Sequence, residues 1–212
     1  MPGIDRSIVI NTALRRIAAA GANLPTGGAS PANALAQAAY PSVLRKLLAE
    51  YDWSFATEYK RLSRLTSGPL VGWKYAYQIP SSCIRIVDVY KGVTYEKDGE
   101  TKITVDMRHP ETRYAISGRK IYTYSDPCMV RMVATGHDSE AHEPFVDALA
   151  CLLACELAPA VSQNGTASVQ MLLQMYSTAL DAARTFDAGT QRDMQHAPTL
   201  ESGWIRERFR EI

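Results

Sequence analysis

The sequence predicts an α+β fold: a mostly α-helical bundle of four main helices, a central antiparallel β insertion, and an extended C-terminal docking segment. Three observations predict it. Of 28 Ala, 12 lie in residues 1–50 and 12 in residues 141–212, while 9 of 11 Tyr fall in residues 51–140. Ala is the strongest helix former and Tyr favours strands. Apolar residues also recur at helical spacing in the two ends and with period two in the middle. The expected organisation is an N-terminal helical pair over 1–53, a β-rich insertion over 54–136, a second helical pair completing the bundle over 137–196, and a partner-docking tail over 197–212.

The first helix is expected over about Ser7–Ala20, where Ile10, Ala13, Leu14 and Ile17 form one stripe and Gly21 supplies a stop. Ser30-Pro31 opens the second, with Ser as N-cap and Pro at the first helical position. That helix carries Leu35, Ala38, Ala39, Val43, Leu47 and Tyr51, and Pro41 should kink or split it. In the middle, Trp73, Tyr75 and Tyr77 share one face. Ile84, Ile86 and Asp88 oppose Arg85, Val87 and Val89, and Ile103, Val105 and Met107 repeat the alternation. Ser117-Gly118-Arg119-Lys120 joins two short strands as a hairpin, and Met129–Ala134 is the last strand. The third helix opens in the acidic stretch DSEAHEP, buries Phe145, Leu149, Leu152, Leu153 and Leu157, and should end near Pro159. The fourth follows Asn164-Gly165. Val169, Leu172, Leu173, Tyr176, Leu180 and Ala183 line one of its faces; Met171, Met175, Ala179 and Phe186 line a second, so it should pack on more than one neighbour.

Composition excludes several classes. At 212 residues, 46% apolar and 21% charged, with a formal net charge of +1, the chain can bury a core and is neither disordered nor a strongly basic duplex-DNA binder. The apolar run Phe145–Val161 contains Asp147, Glu156 and Pro159 and is expected to be too short for a bilayer. No secretory signal is expected at the start, so Cys83, Cys128, Cys151 and Cys155 read as free thiols in a reducing compartment. Near-neutrality conceals a division: residues 1–136 carry +7 and residues 137–212 carry −6, so one part can attract the other in the same or a neighbouring subunit.

No nucleophile elbow, dinucleotide fingerprint or P-loop occurs, and no cofactor or catalytic residue is expected. The best metal candidate is His137-Asp138-Ser139-Glu140-Ala141-His142-Glu143, whose other reading is a solvated helix start. Cys151 and Cys155, one helical turn apart, could ligate a metal or form a disulfide, but small apolar neighbours favour two core thiols. Lys60, Arg61, Arg64 and Lys74 interleave with Tyr59, Trp73, Tyr75 and Tyr77, the pattern of a single-strand nucleic-acid surface and equally of half-exposed strands. The tail is more informative. Trp204, Ile205, Arg208, Phe209 and Ile212 form one face of a short helix beyond the Pro198 linker. Such a helix either folds back on its own core or lays that face in a partner's groove.

Four stretches in order, YPSVLRKLLAEYDWSFA, GWKYAYQIPSSCIRIVDVY, PFVDALACLLACELA and the long fourth helix, resemble the head-to-tail adaptor (connector) of short-tailed bacteriophages, the tail tubular protein A family. The junction Trp53-Ser54-Phe55-Ala56 and the aromatic strand ending Gln78-Ile79-Pro80 before Cys83 carry most of the resemblance. Ser81-Ser82 stands where the family often has an acidic residue, which leaves the local turn contacts open. The resemblance implies a virion structural protein and no enzyme. Family members form a dodecameric ring below the portal, extend the DNA channel without sequence readout, and carry the tail nozzle and fibres. It places the protein in the virion tail, assembled in the host cytoplasm, with no membrane partner. The family's portal-docking C-terminal segment maps onto Trp204, Ile205, Arg208, Phe209 and Ile212. A metal-dependent enzyme and a single-strand nucleic-acid module are the alternatives.

Overall fold

A computed structural model describes residues 4–20, 30–66, 72–97, 100–111, 113–137, 140–161 and 165–195; of 92–97, 100–109, 165–168 and 191–195 it describes the backbone alone. Four helices and two antiparallel sheets make up the described chain, an α+β fold.

Helix α1 (Arg6–Ala19) starts where Asp5 accepts a hydrogen bond from the Ser7 N–H at 2.8 Å, and it buries Val9, Ile10, Ala13 and Ile17. Helix α2 (Pro31–Glu50) is capped by Ser30, which accepts from the Asn33 N–H at 3.3 Å, with Pro31 at the first helical position. Pro41 does not split it. Proline removes the N–H that would bond the Gln37 carbonyl, and the Arg6 guanidinium of α1 donates to that carbonyl instead. The same guanidinium lies 5.1 Å from the Tyr40 ring centroid. A neighbouring helix therefore fills the gap that the proline opens.

Helix α3 (Glu143–Val161) is the central element, with α1, α2 and α4 (Gly165–Gln195) packed on it. Its buried residues run nearly right round the helix, from Phe145 through Ala148–Cys155 to Leu157 and Ala158. It also continues two residues past Pro159. That proline forfeits one bond in a final turn that still buries Leu157 and Ala158. At 19 residues α3 does reach the length and apolarity of a membrane span, against the expectation, and the bundle buries most of that stretch.

The first sheet has the order β1-β8-β4-β5, with β1 at Thr57–Arg61, β8 at Cys128–Ala134, β4 at Cys83–Lys97 and β5 at Glu100–Pro110. The second has the order β2-β3-β7-β6, with β2 at Ser63–Arg64, β3 at Tyr75–Gln78, β7 at Lys120–Thr123 and β6 at Tyr114–Ser117. Gly118, at φ +60°, turns β6 into β7 with Ser117 opposite Lys120, the predicted hairpin. Strand β8 divides its residues between two cores. Cys128, Val130, Met132 and Ala134 face the second sheet, while Val133 joins the helical core with Trp53 and Phe145.

Strand β4 departs from simple alternation. Ile84 and Val87 pack on the helical core, whereas Ile86 and Val89 pack between the sheets. Register shifts against β8 at Cys83/Arg85 and Ile86/Asp88 insert the residues that break period two, so Ile84 and Ile86 do not share a face. The turn before β4 is closed by the backbone, with the Cys83 N–H donating to the Pro80 carbonyl at 3.1 Å. Ile103, Val105 and Met107 fall in β5, with their side chains outside the described residues.

Candidate functional site

The junction between bundle and sheets holds a polar site around the fully buried Asp187. Trp53 is fully buried, and its indole N–H donates to the Leu47 carbonyl at 2.9 Å. Its ring meets Phe145 edge-on at 4.9 Å between centroids, and Phe55 meets the same Phe145 at 4.8 Å. A single 3-10 turn, Ser54–Ala56, then leads into β1.

Asp187 of α4 holds this turn. It is 0% exposed. Its carboxylate accepts from the Ser54 N–H at 3.0 and 3.1 Å and from the Ser54 hydroxyl at 2.6 Å. His142 Nε2 lies 3.4 Å away. His142 Nδ1 accepts from the Phe145 N–H at 3.3 Å at the start of α3, which assigns the ring proton to Nε2, facing Asp187. Burial pushes the Asp187 carboxyl up, but the hydrogen bonds from His142 and Ser54 outweigh it and hold the group below its ordinary value. Ser, His and Asp thus meet, but Ser54 and His142 both address the carboxylate rather than each other. The arrangement lacks the Ser–His hydrogen bond that would activate a nucleophile, and it works as a clasp between α4, α3 and the junction. Asp187 has no role in the sequence reading, although it continues the core stripe Leu172, Leu180, Ala183 by one further turn. An acid at a core position is the signal that could have found it.

The metal candidate divides. His142 faces Asp187, whereas His137 Nε2 lies 3.6 Å from Glu58 of β1. Asp138 and Ser139 lie outside the described residues, and no group of three His, Cys, Asp or Glu side chains able to hold a metal occurs among the described ones. All four cysteines are free. Burial pushes Cys155 up to about 11 and Cys128 up to about 12; it also raises Cys151, outweighing the Arg16 guanidinium that donates to its Sγ at 3.0 Å. These are protonated core thiols.

The basic and aromatic residues divide between the sheets. Tyr59, Lys60 and Arg61 lie on β1 of the first; Arg64 and Tyr75 lie on the second, with the Arg64 guanidinium 4.5 Å from the Tyr75 ring centroid. Tyr77 leaves the surface altogether. It is 1% exposed, and its hydroxyl donates to Asp126 at 2.8 Å.

The charge division is met within the chain. Arg16 of α1 pairs with Asp147 of α3, and Lys46 of α2 pairs with Glu156 at 2.5 Å. On α4, Leu172, Leu180 and Ala183 are buried as predicted, but Leu173 is exposed because one residue turns the side chain about 100° around the axis. The second stripe is only partly covered among the described residues: Ala179 packs on the helical core and Phe186 meets the His142 ring at 4.9 Å between centroids, while Met171 and Phe186 are each 52% exposed and Met175 is 36% exposed. The five tail residues Trp204, Ile205, Arg208, Phe209 and Ile212 lie outside the described residues. Neither a family model nor a curated protein matches this chain.

Proposed function

We propose that this chain is a head-to-tail adaptor of a short-tailed bacteriophage, a structural protein of the virion and not an enzyme. The ordered resemblance of the four stretches carries the reading, above all Trp53-Ser54-Phe55-Ala56 and Gln78-Ile79-Pro80 before Cys83. Met171, Met175 and Phe186 of α4, exposed among the described residues, support an assembling protein, since exposed apolar patches mark interaction sites. In this reading the subunits close a dodecameric ring below the portal in the virion tail, after assembly in the host cytoplasm. The ring extends the channel through which DNA passes without base-specific contacts, and it carries the nozzle and fibres below. Residues 197–212 dock on the portal through Trp204, Ile205, Arg208, Phe209 and Ile212.

Electron microscopy of the purified chain mixed with its portal protein tests this. A ring of copies seated on the portal is expected for the full chain and lost on deleting residues 197–212. Attachment that survives the deletion overturns the docking role, and no complex with the full chain overturns the adaptor reading. Salt-sensitive binding of single-stranded oligonucleotides, or a thermal shift with Zn²⁺ or Mn²⁺, would favour the nucleic-acid or metalloenzyme alternative.

A further inference from the structure

An open groove of about 530 Å³ runs between α1, α3 and α4, and three sulfur-bearing side chains line it: Cys151 of α3 and Met171 and Met175 of α4. Topology brings them together. Helices α3 and α4 pack along each other and are joined by residues 162–164 alone, so they run antiparallel. Cys151 stands ten residues before the end of α3 and Met175 ten residues after the start of α4. Each is therefore about 15 Å from the connection, and the two are level. Met171, one turn nearer the connection, shares a side of α4 with Met175. Cys151 is buried and both methionines are exposed, which puts the thiol at the floor of the groove and the thioethers at its mouth.

We infer that Cys151, Met171 and Met175 form a three-sulfur site for a soft monovalent metal ion, Cu(I). Donor type selects the metal first: thiolate and thioether sulfurs prefer Cu(I), whereas carboxylate and imidazole donors suit harder divalent ions. The carboxylate in the groove, Asp147, is already paired with Arg16, so it is not counted as a ligand. Charge selects next. Arg16 also donates to Cys151 Sγ at 3.0 Å, an interaction that strengthens when the sulfur becomes a thiolate. On binding, the S–H bond breaks, the S–Cu bond forms and the proton leaves to solvent, with no change in oxidation state. One positive charge replaces another, so the groove keeps its net charge. A divalent ion would add an uncompensated positive charge beside the Arg16 guanidinium. Methionine has three rotatable bonds, which lets both Sδ atoms close on the ion, and the open mouth is the entry path. Coordination uses only the sulfur atoms, so the rest of the exposed α4 surface stays available for assembly. The inference stands without the adaptor reading, since it uses only the groove.

Anaerobic titration of the reduced full chain with Cu(I), against a chromogenic Cu(I) chelator, tests it. One tightly held equivalent is expected, lost in Cys151→Ala and kept in Cys83→Ala, which removes the other partly exposed thiol. The decisive variant is Met171→Leu/Met175→Leu, which keeps apolar volume at two exposed positions and so leaves the fold intact. It should bind Cu(I) at least about tenfold more weakly, with unchanged thermal unfolding of the metal-free chain. Unchanged affinity in that variant would overturn the proposal, because it would reduce the binding to an adventitious thiol. Zn²⁺ displacing Cu(I) at equal concentration would overturn it too. As an independent readout, X-ray absorption of the copper-loaded chain should show three sulfur neighbours, and fewer in the double Leu variant. Nitrogen or oxygen neighbours in their place would reject the site. Ring formation and portal attachment are measured without copper, so the two ideas fail separately.

Discussion

Helices α3 and α4 lie against each other and use their apolar residues in opposite ways. Nearly every side of α3 is buried, by α1, α2 and α4, although it spans only 19 residues. Helix α4 spans 31 residues, yet it buries Leu172, Leu180, Ala183 and Asp187 on one stripe while Met171, Leu173, Met175 and Phe186 stay exposed. Apolar content alone does not separate the two cases. Neighbours do: α3 has helices on several sides, while α4 is an outer helix that the described chain covers on one.

Substitutions should expose this contrast. The largest loss is expected for Phe145→Ala in α3, about 3–5 kcal/mol in urea denaturation, since the ring is fully buried against Trp53 and Phe55. Leu173→Ala in α4 should stay within about 0.5 kcal/mol, and a comparable loss there would mean that α4 is covered after all. Asp187→Ala follows, at about 3 kcal/mol, because it leaves the Ser54 and His142 donors without their carboxylate. Its pH dependence is the sharper measurement. The folded carboxyl titrates below its unfolded value, so it contributes stability above the unfolded carboxylate pKa of about 3.9, lost as pH falls from there through the folded value. Asp187→Asn should flatten that acid limb; an unchanged acid limb would assign it to other carboxylates. The smallest effect is expected at α2: Arg6→Ala should cost about 1 kcal/mol. Combined with Pro41→Ala, which restores the N–H to the Gln37 carbonyl, the same Arg6 change should cost less. Additive losses would show that Arg6 acts through its Tyr40 contact instead.

The helical elements were legible because each carries its own local signal. Ser30-Pro31 sets the start of α2, and the Leu172, Leu180, Ala183 spacing sets the buried face of α4. The Gly118 hairpin was legible for the same reason. What escaped depends on contacts across the chain. Helix α2 passes through Pro41 only because Arg6 stands opposite, and the faces of β4 follow from register shifts against β8. Asp187 becomes intelligible only when Ser54 and His142, distant in sequence, arrive beside it. The residues proposed to dock are local in sequence and were found there, but they fall outside the described part of the fold.

Thr57, at the start of β1, pairs with Val133, near the end of β8. The long excursion from the second helix to the third therefore returns to the point where it departed. To the helices it is a closed detour: the gap they must bridge is fixed by that one rung and by Val133 in their core. The far end of the detour, where β4 turns into β5, can lengthen or shorten without altering that gap. A lineage carrying this chain could remodel the outer sheet edge through insertions while the helical frame keeps its spacing.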